Sequence, residues 1–186
     1  MRLYIKYMVS QRCKILVRQE LKNLGFTNVK VELGVVDILD DVSLNQCNEL
    51  TARLQLSGLE LVEDKKDILV ERIKNVIIEM IHYSDELPKG NYSDFLSEKL
   101  NYDYKYLSNI FSDEKGITIQ QFIILNKIEK VKELLLYGEL NLSEISYRLD
   151  YSSIAHLSNQ FKKVTGMSPS HYKKLKLGRK SHLEEL

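Results

Sequence analysis

Cysteine is nearly absent: Cys13 and Cys47 are the two thiols among 186 residues. Two are too few for a disulfide framework and fit a reducing compartment better than a secreted one. No apolar run approaches the roughly 20 residues needed to cross a bilayer. The opening stretch MRLYIKYMVSQRCK turns polar and charged within a few residues, so no signal peptide is expected. A cytoplasmic address follows as the expectation. The glycines form no phosphate-cradling loop. His82, His156, His171 and His182 are dispersed, with neither zinc-ligand spacing nor a nucleophile beside a base. Neither an enzyme nor a cofactor is expected.

Charge is almost balanced, at +1, and the 28% charged and 44% hydrophobic content is ordinary for a folded soluble protein. The balance hides an asymmetry. Residues 1–88 carry 12 Lys/Arg against 14 Asp/Glu, or −2. Residues 89–186 carry 15 against 12, or +3, and Phe161 to Leu183 holds seven basic residues and no acidic one. A local positive field of this kind attracts phosphates even on a nearly neutral molecule. A solvated C-terminal face would carry the same charges.

Residues 1–63 alternate between two periodicities. RLYIKYM reads as a strand with Leu3, Ile5 and Tyr7 on one side. CKILVRQELKNLG has helical spacing at Ile15, Leu16, Leu21 and Leu24, closed by Gly25. VKVEL and VVDIL read as a hairpin meeting at Gly34. SLNQCNELTARLQLSG sets Leu44, Cys47, Leu50 and Leu54 on a helical stripe, with Ser43 as N-cap and Gly58 at its end. LELVE completes the order βαββαβ, an α+β arrangement with two helices on one face of a four-stranded sheet.

An amphipathic linker helix is expected over residues 64–88. Leu69, Ile73, Val76, Ile77, Met80 and Ile81 recur at spacings of three and four, and Pro88 and Gly90 end the pattern. Residues 89–178 read as an all-α domain. Short helices are expected at Tyr92–Leu100, Tyr104–Lys115, Leu142–Leu149, Ser153–Val164 and Pro169–Leu175, with a longer one from about Thr118 to Leu136. Residues 179–186 read as a polar, exposed tail.

This half contains an internal repeat. FLSEKLNYDYKYLSNIFSDEKGIT, from Phe95, aligns with EISYRLDYSSIAHLSNQFKKVTGMS, from Glu144. Both carry L-[ND]-Y and then L-S-N-x-F. From the second block onward Leu107 matches Leu157, Asn109 matches Asn159, Phe111 matches Phe161 and Gly116 matches Gly166. One supersecondary unit is used twice. Each unit reads as a helix, a tight turn and a second helix. Leu107, Ile110 and Phe111, and in the second copy Leu157, Phe161 and Val164, would pack inward. Lys105, Ser108 and Asn109, and Ile154, Ala155, Ser158 and Asn159, would face outward. Asn can both donate to and accept from adenine, and Ala or Ile can meet a thymine methyl in a major groove. Lys162 and Lys163 would sit near phosphates. A helical bundle whose leucines are only core is the alternative.

Residues 93–176 resemble the tandem helix-turn-helix domain of AraC/XylS-type transcription regulators, a bacterial family. LSEISYRLDYSSIAHLSNQFKKVTGMSPSHYKK is similar to the family's C-terminal signature nearly throughout, and NKIEKVKELL resembles its linker helix. The resemblance implies a regulator that reads double-stranded DNA, with two recognition helices entering successive major grooves. It carries the base-facing role to Lys105, Ser108, Asn109, Ile154, Ala155, Ser158 and Asn159. Lys162, Lys163, Lys173 and Lys174 take the phosphates, and Tyr151, Leu157, Phe161, Gly166 and Pro169 form the scaffold. RNA polymerase is a further partner it implies. Asn109 and Asn159 stand where the family commonly has basic residues, which implies different base preferences or weaker affinity. Asp150 replaces the usual turn glycine, which requires a left-handed backbone there.

Residues 2–62 resemble the ferredoxin-like heavy-metal-associated domain, whose CxxC loop after the first strand binds a soft ion. MVSQRC offers Ser10 in the first cysteine position and Cys13 in the second. One thiolate makes a poor soft-metal site. No metal is expected, and Cys13 is the one candidate ligand. A metal-handling or protein-docking adaptor that has lost DNA binding is the competing reading. Operator, target genes, the direction of regulation, any inducer and the choice between monomer and homodimer stay open at this level.

Overall fold

Alternating apolar residues at the start of the chain form β1 (Arg2–Lys6), with Ile5 in the core. The computed structural model describes residues 1–84, 86–88 and 90–184, the last eight by backbone alone. The chain divides into two units, Met1–Glu79 with Ser93–Gly116, and Met80–Tyr92 with Ile117–Leu186.

In the first unit β1 is followed by α1 (Gln11–Asn23), β2 (Val29–Glu32), β3 (Val35–Ile38), α2 (Leu44–Leu56) and β4 (Glu60–Val62). The strands lie in the order β2-β3-β1-β4. Every neighbouring pair is antiparallel, with Leu3 opposite Val36, Ile5 opposite Leu61 and Val31 opposite Val36. The βαββαβ architecture thus resembles a ferredoxin-like domain. α1 and α2 pack on the sheet and on each other. Val17, Leu21, Leu50 and Leu54 join Ile5, Val36 and Ile38 in one core. Ser10 caps α1, and Ser43 with Gln46 forms a capping box at α2. Such caps satisfy amide donors that the first helical turn leaves free.

Three apolar positions differ from the periodic expectation. Tyr7 leaves the strand in a left-handed conformation (φ +66°) and is 56% exposed, while Met8 takes the buried place. Ile15 is 65% exposed and Val17 is buried, because the cap at Ser10 sets the phase of α1. Leu44 opens α2 beyond the sheet and is exposed. In each case the turn at an end of the element decides which face points inward.

α3 (Lys65–Ile78) begins at the Asp64 cap and buries Leu69, Val70, Ile73, Ile77 and Ile78. It packs against β1 and α5 (Tyr104–Lys115). α-Helical geometry ends at Ile78 rather than near residue 87, and a π-helical turn spans Glu79–Tyr83. α4 (Tyr92–Leu100) precedes α5.

The second unit contains α6 (Ile119–Tyr137), α7 (Leu142–Arg148), α8 (Ile154–Thr165) and α9 (Pro169–Glu184). Ile128, Val131, Leu134, Leu135, Ile145, Leu149, Leu157 and Phe161 form its core. α9 continues past Leu175 to Glu184, and the side chains of the expected tail lie outside the described residues. No helix among the described residues is long and apolar enough to cross a membrane.

Candidate nucleic-acid interface

The two copies of the repeat are built from the same local parts. In the first, Leu96 and Leu100 of α4 are buried, and Asn101 turns the chain at φ +58°. Asp103 caps α5 by accepting from the amides of Lys105 and Tyr106. Leu107, Ile110 and Phe111 then point inward. In the second, Ile145 and Leu149 are buried, and Asp150 turns the chain at φ +53°. Ser153 caps α8 through the His156 amide, and Leu157 and Phe161 point inward. Each second helix closes on a left-handed glycine, Gly116 or Gly166. Asn and Asp tolerate the left-handed region better than most residues with a side chain, which explains how Asp150 serves where glycine is usual.

The outward faces follow from this packing. On α5, Lys105 and Asn109 are exposed and Ser108 is half-buried. On α8, Ile154, Ala155 and Asn159 are exposed and Ser158 is half-buried. Lys162 and Lys163 lie exposed in the last turns of α8. On α9, Lys173 is half-buried and Lys174 exposed. Among the described residues none of these lysines forms an ion pair. Val164 differs from its expected inward role. It is 37% exposed, because Leu157 and Phe161 already fill the inward stripe.

Three features escaped the periodic reading. Tyr106, exposed on α5, stacks on Tyr102 with ring centroids 5.6 Å apart. The equivalent His156 meets the Tyr151 ring edge-on at 5.4 Å. Both pairs bind the second helix of a repeat to its own turn, and the repeat alignment itself held that signal. Next, the last turn of α5 carries Asp113 and Glu114 where α8 has Lys163 and Val164, so the copies differ in charge. Last, the Lys127 ammonium lies between the Tyr92 and Tyr151 rings, 5.0 and 5.2 Å from their centroids. Burial pushes Lys127 down, countered by Asp150. Burial also pushes both phenols up, to about 12.

Residues 96–175 match the family model for a helix-turn-helix domain. Residues 96–175 thus form a helix-turn-helix domain. Over 115 residues, 62% of this chain, it is 27% identical to the HTH-type transcriptional regulator YtdP of Bacillus subtilis (strain 168). Over 125 residues, 67% of this chain, it is 27% identical to the Msm operon regulatory protein of Streptococcus mutans. The chain spans only 15% and 43% of those two relatives' own lengths. Among solved structures it is similar to the C-terminal domain of AraT, a response regulator from Geobacillus stearothermophilus. That match has a TM-score of 0.50 and 30% identity, covering 60% of this chain and 88% of that one.

Outside the helix-turn-helix domain, Cys13 is half-buried in the first turn of α1 with its sulfur 3.3 Å from the Ser10 hydroxyl. Burial pushes this thiol up, but hydrogen bonds from Ser10 and the local backbone outweigh it and hold the group below its ordinary value. No cluster of three or more His, Cys, Asp or Glu among the described residues could hold a metal ion.

Proposed function

We propose that the chain is a sequence-specific DNA-binding transcription regulator of the AraC/XylS type. Its chemistry is non-covalent. Lys162, Lys163, Lys173 and Lys174 contact phosphates and supply affinity without reading sequence. Lys105, Ser108 and Asn109 on α5, and Ile154, Ala155, Ser158 and Asn159 on α8, meet base edges in the major groove. One observation carries the reading: Asn109 and Asn159 are exposed at the same position of two recognition helices, each started by a side-chain cap. The names of the relatives, an HTH-type transcriptional regulator and an operon regulatory protein, support it. Two reading units in one chain let a monomer span two groove turns, and RNA polymerase is the further partner that the family likeness brings.

Selection of bound duplexes from a random library, at about 0.1 M salt, tests the proposal. The expected result is a motif in two parts about one helical turn apart. Asn109→Ala changes one part and Asn159→Ala the other. Absence of enrichment, even at reduced salt, would overturn it.

A further inference from the structure

The recognition helix α5 belongs to the same unit as the N-terminal sheet, and α3 lies against both β1 and α5. One face of α3 is apolar. A second stripe, at the i, i+4 positions Asp67, Glu71 and Asn75, is polar and largely buried: Glu71 is 3% exposed and Asn75 8%. Each residue of that stripe has its own partner. Asp67 accepts from the Lys6 ammonium of β1 at 2.7 Å. Asn75 packs under the β2–β3 turn so closely that a Cβ at Gly34 would lie 1.8 Å from its Nδ2. Between these two anchor points, Glu71 takes both of its carboxylate oxygens to Lys74, each at 2.9 Å, and its Oε1 to Lys115 at 3.7 Å. Lys115 is the last residue of α5, and Lys74 also lies 6.0 Å over the Tyr7 ring beyond β1.

We propose that Glu71 is the positioning residue through which the N-terminal α+β domain sets the angle of the first recognition helix, and thereby its half of the sequence read. The inference rests on the DNA-binding reading above. A carboxylate withdrawn from water is costly unless paired, and removing one partner leaves the other uncompensated. Here the compensation comes from two elements at once, Lys74 on α3 itself and Lys115 on α5. A pin at the C-terminal end of α5 fixes its tilt, because the opposite end is already held by the turn at Asn101 and the Asp103 cap. Lys105, Ser108 and Asn109 ride on that helix. Asp67 and Asn75 tie the same stripe to the sheet. A displacement of the β2–β3 turn or of β1 therefore reaches α5 through one polar stripe.

The test uses the full chain and the two-part duplex that it selects, together with versions in which either part is scrambled. Glu71→Gln keeps the shape of the side chain and removes its charge. Lys115→Met acts from the other side, leaves Glu71 paired with Lys74, and decides the matter should the first variant fold poorly. Each should lower discrimination for the part read by α5 by about tenfold while leaving the part read by α8 unchanged. The double variant should be no worse than the single ones, the mark of one shared interaction. Amide exchange should quicken in the last turn of α5 and not in α8, a readout that needs no DNA. Wild-type discrimination at both parts in Lys115→Met, or equal loss at both, overturns the proposal. A wild-type chain that selects no duplex would instead overturn the DNA-binding reading, and this inference with it.

Discussion

Asn101 and Asp150 occupy the same place in the two repeats and adopt the same left-handed backbone, with φ of +58° and +53°. Each follows a buried leucine, Leu100 or Leu149, and turns the chain toward the second helix of its repeat, α5 or α8. That conformation costs an ordinary L-residue about 1–2 kcal/mol, and Asn or Asp somewhat less. Asn101→Ala should therefore destabilise its unit by about 1 kcal/mol, whereas Asn101→Gly should leave it unchanged or slightly more stable. Urea unfolding of the two variants beside wild type checks the sign. Equal losses would show that the Asn side chain, not its backbone, is what matters.

On the proposed DNA-binding function, the charge difference between α5 and α8 predicts unequal shares of affinity. Lys162→Ala and Lys163→Ala should each weaken binding evenly across sequences and lower the slope of log affinity against log salt by about one. Asp113→Lys places a lysine on α5 where α8 carries Lys163, and should tighten binding and steepen the slope. Titrations of one duplex across a salt series measure both effects.

Lys127 tests how much the buried cation contributes to the second unit. Lys127→Met keeps an unbranched stem between the Tyr92 and Tyr151 rings and removes the charge. It should cost about 2 kcal/mol, the figure for a desolvated cation–π contact. Lys127→Ala should cost more, because the stem's packing goes as well. A Met variant as stable as wild type would mean that desolvation cancels the attraction. Denaturant midpoints decide between these outcomes.

His82 gives a pH dependence of definite sign. Burial first, and then the nearby Lys130, hold its imidazole below the ordinary 6.5, against the opposing pull of Glu133, 3.8 Å away. The unfolded chain therefore binds the proton more readily than the folded one. The stabilisation from a neutral His82 is complete above pH 6.5 and is lost as the pH falls from there through the folded value. His82→Gln should flatten Tm against pH across that window. An unchanged slope would assign the acid sensitivity to other groups.

The repeat was legible in the sequence because it is written locally. L-[ND]-Y and L-S-N-x-F specify a turn and an inward stripe without reference to anything distant, so the bounds of α4 and α5 and the inward roles of Leu107, Phe111, Leu157 and Phe161 follow from spacing. The βαββαβ order was legible for the same reason, since Gly34, Ser43 and Gly58 punctuate it. Phase was harder to read. Ile15 and Val17 are equally apolar, and only the cap at Ser10 and the sheet beneath α1 decide which of them is buried.

Partnership across the chain was decided by tertiary structure alone. In sequence, Glu71 is an ordinary charge in a helix marked by its isoleucines, and Lys127 is one lysine in NKIEKVKELL. Folding buries Glu71 beside Lys115 and sets Lys127 between two tyrosines. Periodicity reports which way a side chain faces relative to its own element. The partner it meets depends on how separate elements pack, and the energy of a buried charge lies in that partner.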